Sequence, residues 1–279
     1  MSTTATRRWN ALVVGGTSGI GKGIALALAE RGCNVTIAGR SSKDVLPLLV
    51  AASSDPQQEH SFVPVDGFEL KTLVQLTAPD LLVMTHGMAT TQGYTPTVDG
   101  IDQKMQLHCF SRVYLAQILA PHMMEGGRIL TVLSAGVHSR FENYPHDFDL
   151  KNTYSIQNAA NAAGFYSDVA FEKLSSQYPN LVFCHAAPGF VNTNWGSEMP
   201  WYLKGLVRAI QPFGRSLESC GQILTDSWLK LPVNGTYHLM DSNGKKTKQG
   251  VQHRPDEVDV IWNKIQDLLP LDKLKETKK

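Results

Sequence analysis

Cysteine is scarce: Cys33, Cys109, Cys184 and Cys220 are the only four in 279 residues, and no CxxC pair occurs. That excludes a disulfide framework and gives no reason to expect a metal site. Buried free thiols in a reducing, cytoplasmic compartment are the expectation. Long apolar runs are also missing. No stretch approaches the roughly 20 apolar residues a membrane-spanning helix needs, and none follows Arg7 and Arg8 to make a signal peptide. Charge of one sign is not in excess, since 26 Lys plus Arg stand against 25 Asp plus Glu. Nucleic acid and anionic membranes are therefore not expected partners. Linkers, internal repeats and low-complexity segments are absent too, so residues 1–279 read as a single domain with a Lys-rich tail, 271–279, expected to fray.

What is present is an alternation of short Val-, Ile- and Leu-rich runs with longer amphipathic stretches. Residues 11–15, 34–38, 61–65, 80–85, 128–134, 181–186 and 235–240 read as strands. Helical patterns cover 20–31, 44–52, 99–124, 153–178 and 214–230, with Gly32 as a C-terminal stop and Pro47 confined to a first turn. Asn243-Gly244 marks a tight turn after the last strand. Strands apolar on both faces, each followed by a helix, predict an α/β fold: a Rossmann-like, doubly wound parallel sheet of about seven strands. Such sheets bind ligands beyond the C-terminal ends of their strands.

The first strand runs into Gly15-Gly16-Thr17-Ser18-Gly19-Ile20-Gly21 and then a helix. Gly15 permits a tight turn, Gly19 a close backbone approach to a diphosphate, and Gly21 close helix–strand packing. The helix N-terminus adds unpaired N–H groups and partial positive charge. A site preferring NAD usually carries an acidic residue about 20 residues on. Here the second strand ends in Gly39-Arg40-Ser41-Ser42. A guanidinium with hydroxyls suits a 2′-phosphate, so NADP(H) is the expected cofactor.

With these residues in hand, the chain resembles the short-chain dehydrogenase/reductase family over essentially its whole length. The glycine loop is similar to the family's TGxxxGxG, with Val14 where Thr is usual. Asp66 resembles the Asp that contacts adenine. Met84-Thr85-His86-Gly87 stands where the family has NNAG and keeps only Gly87. Ser134 matches the active-site Ser, and Pro188-Gly189-Phe190-Val191-Asn192-Thr193 resembles PGxVxT, which implies that Thr193 contacts the cofactor.

The resemblance implies a proton relay in which a Tyr exchanges the substrate proton. A Lys four residues later lowers that Tyr's pKa, and an Asn on the preceding long helix holds a water. Positions i and i+4 share a helix face, and an ammonium favours the phenolate. Two registers are open. In one, Tyr154-Ser155-Ile156-Gln157-Asn158 resembles YSxSK, with Tyr154 as the Tyr and Asn158 in place of Lys, left to hydrogen-bond a ribose. In the other, counting back from Pro188 puts Ala160 at the Tyr position and Gly164 at the Lys position. The first has the better local match; both lack the Lys. His108 falls at the Asn position. Ser134, Tyr154 and His108 are thus the candidate catalytic residues, with His86, His138 and Tyr144 as lesser candidates for the acid.

Residues 194–213, with Trp195, Met199, Trp201 and Tyr202, correspond to the family's substrate lid. Their apolar surface suits a bulky, flat or lipophilic small molecule. The expected activity is interconversion of a hydrophobic carbonyl and alcohol with NADP(H). A non-redox isomerase or cyclase, and an inactive NADPH sensor or scaffold, stay open beside it. The two long helical segments resemble those that form a four-helix interface in the family, implying a homodimer or homotetramer.

Overall fold

Runs that are apolar on both faces can be satisfied only inside a sheet covered on both sides. In the computed structural model, which describes residues 7–41, 44–193 and 211–271 together with 201, 205 and 208, they form one sheet. Its strands are β1 Asn10–Val14, β2 Asn34–Gly39, β3 His60–Pro64, β4 Leu81–Met84, β5 Arg128–Val132, β6 Val182–Ala186 and β7 Tyr237–Met240. All pair in parallel, in the order β3-β2-β1-β4-β5-β6-β7. The chain reverses its direction of travel across the sheet between β1 and β4, which opens a crevice at their C-terminal ends. Pro64 closes the edge strand β3, a position where proline is tolerated.

Helices α1 Gly19–Glu30, α2 Val45–Ala52 and α7 Leu217–Leu229 cover one face, and α5 Ser111–Leu119, α6 Ile156–Gln177 and α8 Pro255–Leu268 the other. Short helices α3 Leu70–Leu73 and α4 Gln103–Met105 are also present among the described residues. Neighbouring strand residues divide between the layers, as the two-residue period requires. Val13, Val83 and Leu130 pack with Ile24, Leu28, Leu224 and Trp228. Leu12, Leu82 and Ile129 pack with Val113, Phe165, Val169, Ile261 and Ile265. All four cysteines are buried and free.

Three elements depart from the sequence reading. The helix expected over 99–124 starts at Gln103, because the Asp102 carboxylate accepts the N–H groups of Lys104 and Met105. It then passes through a π-turn, Gln106–Phe110, and ends in a 3₁₀ turn, Ala120–His122, around Pro121. The helix expected over 153–178 starts at Ile156, where Ser155 Oγ caps the Asn158 N–H. Helix α8 was not foreseen: its apolar positions are interleaved with Asp256, Glu257, Asp259 and Asp267, although Ile261 and Ile265 lie on one buried stripe. The lid segment lies outside the described residues except at 201, 205, 208 and 211–213. No described helix is long and apolar enough to cross a membrane.

Candidate active site

β1 delivers the glycine loop to the crevice. Gly15 has φ of +86°, and a Cβ there would stand 2.5 Å from the His86 backbone nitrogen, so glycine lets the loops after β1 and β4 touch. A side chain at Gly21 would collide with Gly15 O and Thr85 Oγ1. Ser18 is the N-cap of α1, yet its hydroxyl makes no capping bond, and the first turn has no acidic residue. The positive end of a 12-residue helix, from Gly19 through Ile20 and Gly21, thus lacks a capping side chain. Thr193 sits over this end, its methyl 3.6 Å from where a Gly19 Cβ would be. The first and last glycine-containing motifs, far apart in the chain, therefore meet; Pro188 and Gly189 (φ +70°) turn the chain from β6 toward them. Thr17 packs against Gly39 at the end of β2.

Beyond β2 and β3 lies a cavity of about 690 Å³ lined by Arg40, Pro64, Val65, Asp66, Lys71 and Thr72. Arg40 is exposed, with its guanidinium 5.9 Å from the Phe68 ring centroid. Ser41 follows it, also exposed. Asp66 Oδ1 accepts the Phe68 N–H at 3.0 Å, which holds the turn after β3. Lys71, whose Nζ lies 3.2 Å from Glu69 Oε2, was not picked from sequence. Nothing local marks it, because the fold alone brings it to Arg40.

Gly87 follows β4, and a Cβ on it would lie 2.9 Å from His108 Nε2. His108, inside the π-turn, accepts the Met88 N–H at Nε2 (3.1 Å). Burial, then the nearby Arg112 and Lys104 charges, lower its pKa to about 3. It is a neutral acceptor that holds the loop after β4. His86 is likewise held neutral by burial and by Arg112, and its Nε2 pairs with Ser111 Oγ. Arg112 is 1% exposed and bonds only neutral oxygens: Leu107 O, Thr131 Oγ1, Val132 O and His86 O.

Ser134, two residues past β5, lies beside Gly164 of α6. A Cβ on Gly164 would lie 2.7 Å from Ser134 Oγ and 2.5 Å from His138 Cγ. Ser134 Oγ is buried without a hydrogen-bond partner. The Ser134 N–H donates to His185 Nε2 (2.9 Å), and Ser134 O is 3.1 Å from His138 Nδ1. Behind both rings lies Asp168, fully buried on α6, which accepts from His185 Nδ1 and Tyr237 Oη, each at 2.6 Å. Burial opposes the Asp168 charge, but the His185 imidazole and the Tyr237 hydroxyl bring its pKa below the usual range. None of Asp168, His185 or Tyr237 was picked from sequence. The available signal was a His inside an otherwise apolar strand run and an Asp on the buried face of a helix.

Tyr154 precedes α6, so Tyr154 and Asn158 do not stand one turn apart on a helix face. Its hydroxyl accepts from Lys104 Nζ, and its ring meets Tyr94 edge-on at 6.0 Å between centroids. Lys104 is 5% exposed and also donates to Gln92 O at 2.8 Å. Asn158 uses its side-chain amide on Thr153 O at 2.7 Å. The contacts of Ser134 thus run to His138, His185 and Gly164, and those of Tyr154 to Lys104, Gln92 and Tyr94. Residue 164, where the second register puts the Lys, is the α6 position against Ser134.

A family model described as short chain dehydrogenase matches residues 9–146. An oxidoreductase of Emericella nidulans, AN1596, is 30% identical over 197 residues, covering 66% of this chain and 59% of that protein's length. The tetrahydroxynaphthalene reductase PfmaG of Pestalotiopsis fici is 27% identical over 203 residues, 69% of each chain. Among solved structures, a 3-oxoacyl-[acyl-carrier protein] reductase from Brucella melitensis in complex with NAD superposes with a TM-score of 0.63 at 18% identity, over 86% of this chain and 97% of that one. A Burkholderia multivorans protein with bound NADP gives 0.61 at 18%, over 86% and 99%. At that identity the superpositions speak for the fold.

Proposed function

The chain belongs to the short-chain dehydrogenase/reductase family of oxidoreductases, and from that premise we propose that it is an NADP(H)-dependent reductase of bulky, flat carbonyl compounds. The observation that carries the reading is the pairing of Arg40 and Lys71 on one cavity with Asp66, at the end of β2. Two cations on this cavity, with Arg40 rather than a carboxylate at the end of β2, favour a ribose carrying a 2′-phosphate. The diphosphate fits the uncapped N-terminus of α1 at Ser18 to Gly21, with Gly15, Thr17 and Gly19 leaving room for it. Gly87, Pro188, Gly189 and Thr193 border the way to the nicotinamide end. Asn158 remains a candidate ribose contact only if its amide leaves Thr153 O.

When bound, NADPH supplies the hydride. This chain's residues have to orient the carbonyl and deliver a proton to its oxygen. Ser134 Oγ, buried and unpartnered, is the group free to hydrogen-bond that oxygen. Tyr154 is the proposed acid, with Lys104 of α4 as the ammonium beside its hydroxyl. His108 holds the floor of the site rather than a proton. Relatives named as hydroxynaphthalene and tetrahydroxynaphthalene reductases, PfmaG included, support a flat polycyclic substrate. So does the Trp- and Tyr-containing segment 194–213.

Titration with NADPH and NADH by quenching of protein fluorescence tests the cofactor half. NADPH is expected to bind at least tenfold more tightly, and tighter NADH binding overturns the Arg40 argument. Loss of NADPH absorbance with polycyclic ketones and quinones tests the rest. Tight NADPH binding with no turnover on the whole panel would favour the sensor or isomerase reading.

A further inference from the structure

Three buried polar side chains, His138 of the loop after β5, Asp168 of α6 and His185 of β6, cluster with the part-buried Tyr237 of β7 behind Ser134, and their donors and acceptors can be counted. Ser134 N–H can only donate, so His185 Nε2 must be the bare nitrogen. His185 Nδ1 then carries the ring's proton and gives it to Asp168 Oδ1, which also accepts from Tyr237 Oη. On the other side, Ser134 O can only accept, so His138 Nδ1 carries a proton. That leaves His138 Nε2 facing Asp168 Oδ2 at 3.3 Å, and neither atom has another hydrogen-bond partner. If His138 were neutral, two lone pairs would face each other with side-chain exposures of 1% and 0%. Leaving buried acceptors of this kind without a donor is costly. One proton between them satisfies the whole cluster.

We infer that His138 is held as an imidazolium by Asp168, and that this pair, with His185, is the positioning device for Ser134. Both main-chain polar groups of Ser134 are gripped by imidazoles, and one carboxylate bridges those imidazoles. The Ser134 carbonyl receives a second bond from the Val137 N–H at 3.0 Å, closing the turn. Only the Ser134 hydroxyl is left free. The arrangement needs the absence of a side chain at residue 164, since His138 fills that space. The pair is neutral as a whole. It supplies direction and a fixed proton to the site, not a net field.

The groups facing His138 are Asp168 of α6, His185 of β6 and His253 from the segment before α8. Tyr237 of β7 faces the shared carboxylate. Burial first, and the two other imidazoles, hold the His138 pKa below its ordinary value against the carboxylate and the Ser134 carbonyl; the geometry, with an acceptor facing each ring nitrogen, is what argues for the second proton.

The test is nitrogen-15 spectroscopy of the histidine rings in the full chain at pH 7. Both His138 nitrogens are expected to show protonated-type shifts, while His185 shows one bare nitrogen. Asp168→Asn distinguishes the charge from the packing. An Asn can still accept from His185 and Tyr237, and its amide can donate to a neutral His138 Nε2. That variant should melt within a few degrees of the parent, yet lose the doubly protonated signature. A bare His138 Nε2 in the parent, or an unchanged spectrum in Asp168→Asn, overturns the protonation. For the positioning, the Ser134 amide should exchange at least tenfold faster in a folded His185→Leu variant, and equal rates overturn the clamp. The link to catalysis rests on the reductase reading: Asp168→Asn should lower kcat at least tenfold with KM for NADPH unchanged. Absence of all turnover would sink that reading while leaving the spectra and exchange rates to decide this one.

Discussion

Gly23 of α1 and Gly221 of α7 pack backbone against backbone: a Cβ on Gly221 would strike the Gly23 carbonyl, and one on Gly23 would strike Leu217 O. The helix that presents the glycine loop is therefore seated at a distance set by two missing side chains. Ala is normally better than Gly in a helix by about 1 kcal/mol. Here the collision is with main chain, which cannot rotate away, and overpacking costs about 1–3 kcal/mol. The clash wins. Gly221→Ala should lower the melting temperature by several degrees in calorimetry and weaken NADPH binding in parallel. A higher melting temperature would show that the two helices are free to part.

Arg40→Ala separates the 2′-phosphate from the rest of the dinucleotide. A charge-assisted bond to phosphate contributes about 1.5–3 kcal/mol, so NADPH affinity should fall about 10- to 100-fold. NADH affinity should change less than threefold. Lys71→Ala is expected to act in the same direction with a smaller effect, because Glu69 already shares its charge and it is highly exposed. Both losses should shrink at high salt. Equal losses for the two cofactors would move Arg40 to a general role in the fold.

The placement of the glycine loop, Arg40, Asp66 and Ser134 was legible because each lies within two residues of a strand's end, and strands announce themselves by short apolar runs; Thr193 came from the resemblance to PGxVxT alone. The sheet was legible for the same reason. What surrounds Ser134 was not. Asp168, His185 and Tyr237 come from three elements, and their polar atoms meet only when α6 and β7 flank β6. The Tyr154–Lys104 contact spans 50 residues, and a search for Lys at i+4 looks along the wrong chain segment. The start of α6 was misread by three residues because Ser155 caps it, which moved Tyr154 off the helix.

His108 makes stability depend on pH with a definite sign. Its folded pKa, about 3, lies below the ordinary 6.5, so the unfolded chain binds the proton more readily. Its contribution is whole above pH about 6.5 and is lost as pH falls from there toward 3. The slope is at most about 1.4 kcal/mol per pH unit, or up to about 2 kcal/mol between pH 7.5 and 5. His86, also lowered by burial, adds in the same direction. Urea unfolding at the two pH values measures the difference. His108→Asn keeps an acceptor for the Met88 N–H and has nothing to titrate, so it should reduce the drop. An undiminished drop would assign the acid loss to other groups.

Tyr154 and Lys104 give the sharpest statement about direction. Burial, then the Asp102 charge, push the phenol up to about 12, although Lys104 Nζ donates to it. At neutral pH the hydroxyl therefore carries its proton almost completely. That suits a group that must give a proton to an alkoxide forming at a reduced carbonyl, and it suits poorly one that must take a proton from an alcohol. Reduction should accordingly be much faster than oxidation at pH 7, and its kcat should not rise or fall with a phenol titration between pH 6 and 9. Tyr154→Phe should lower kcat by about 10²- to 10⁴-fold with KM for NADPH unchanged, since the hydroxyl holds no part of the cofactor in this reading. Lys104→Met leaves the proton in place but removes the ammonium that stabilises the phenolate after transfer, so a smaller loss in kcat is expected. Full activity in Tyr154→Phe would mean that the proton reaches the substrate from the other side of the site, through Ser134.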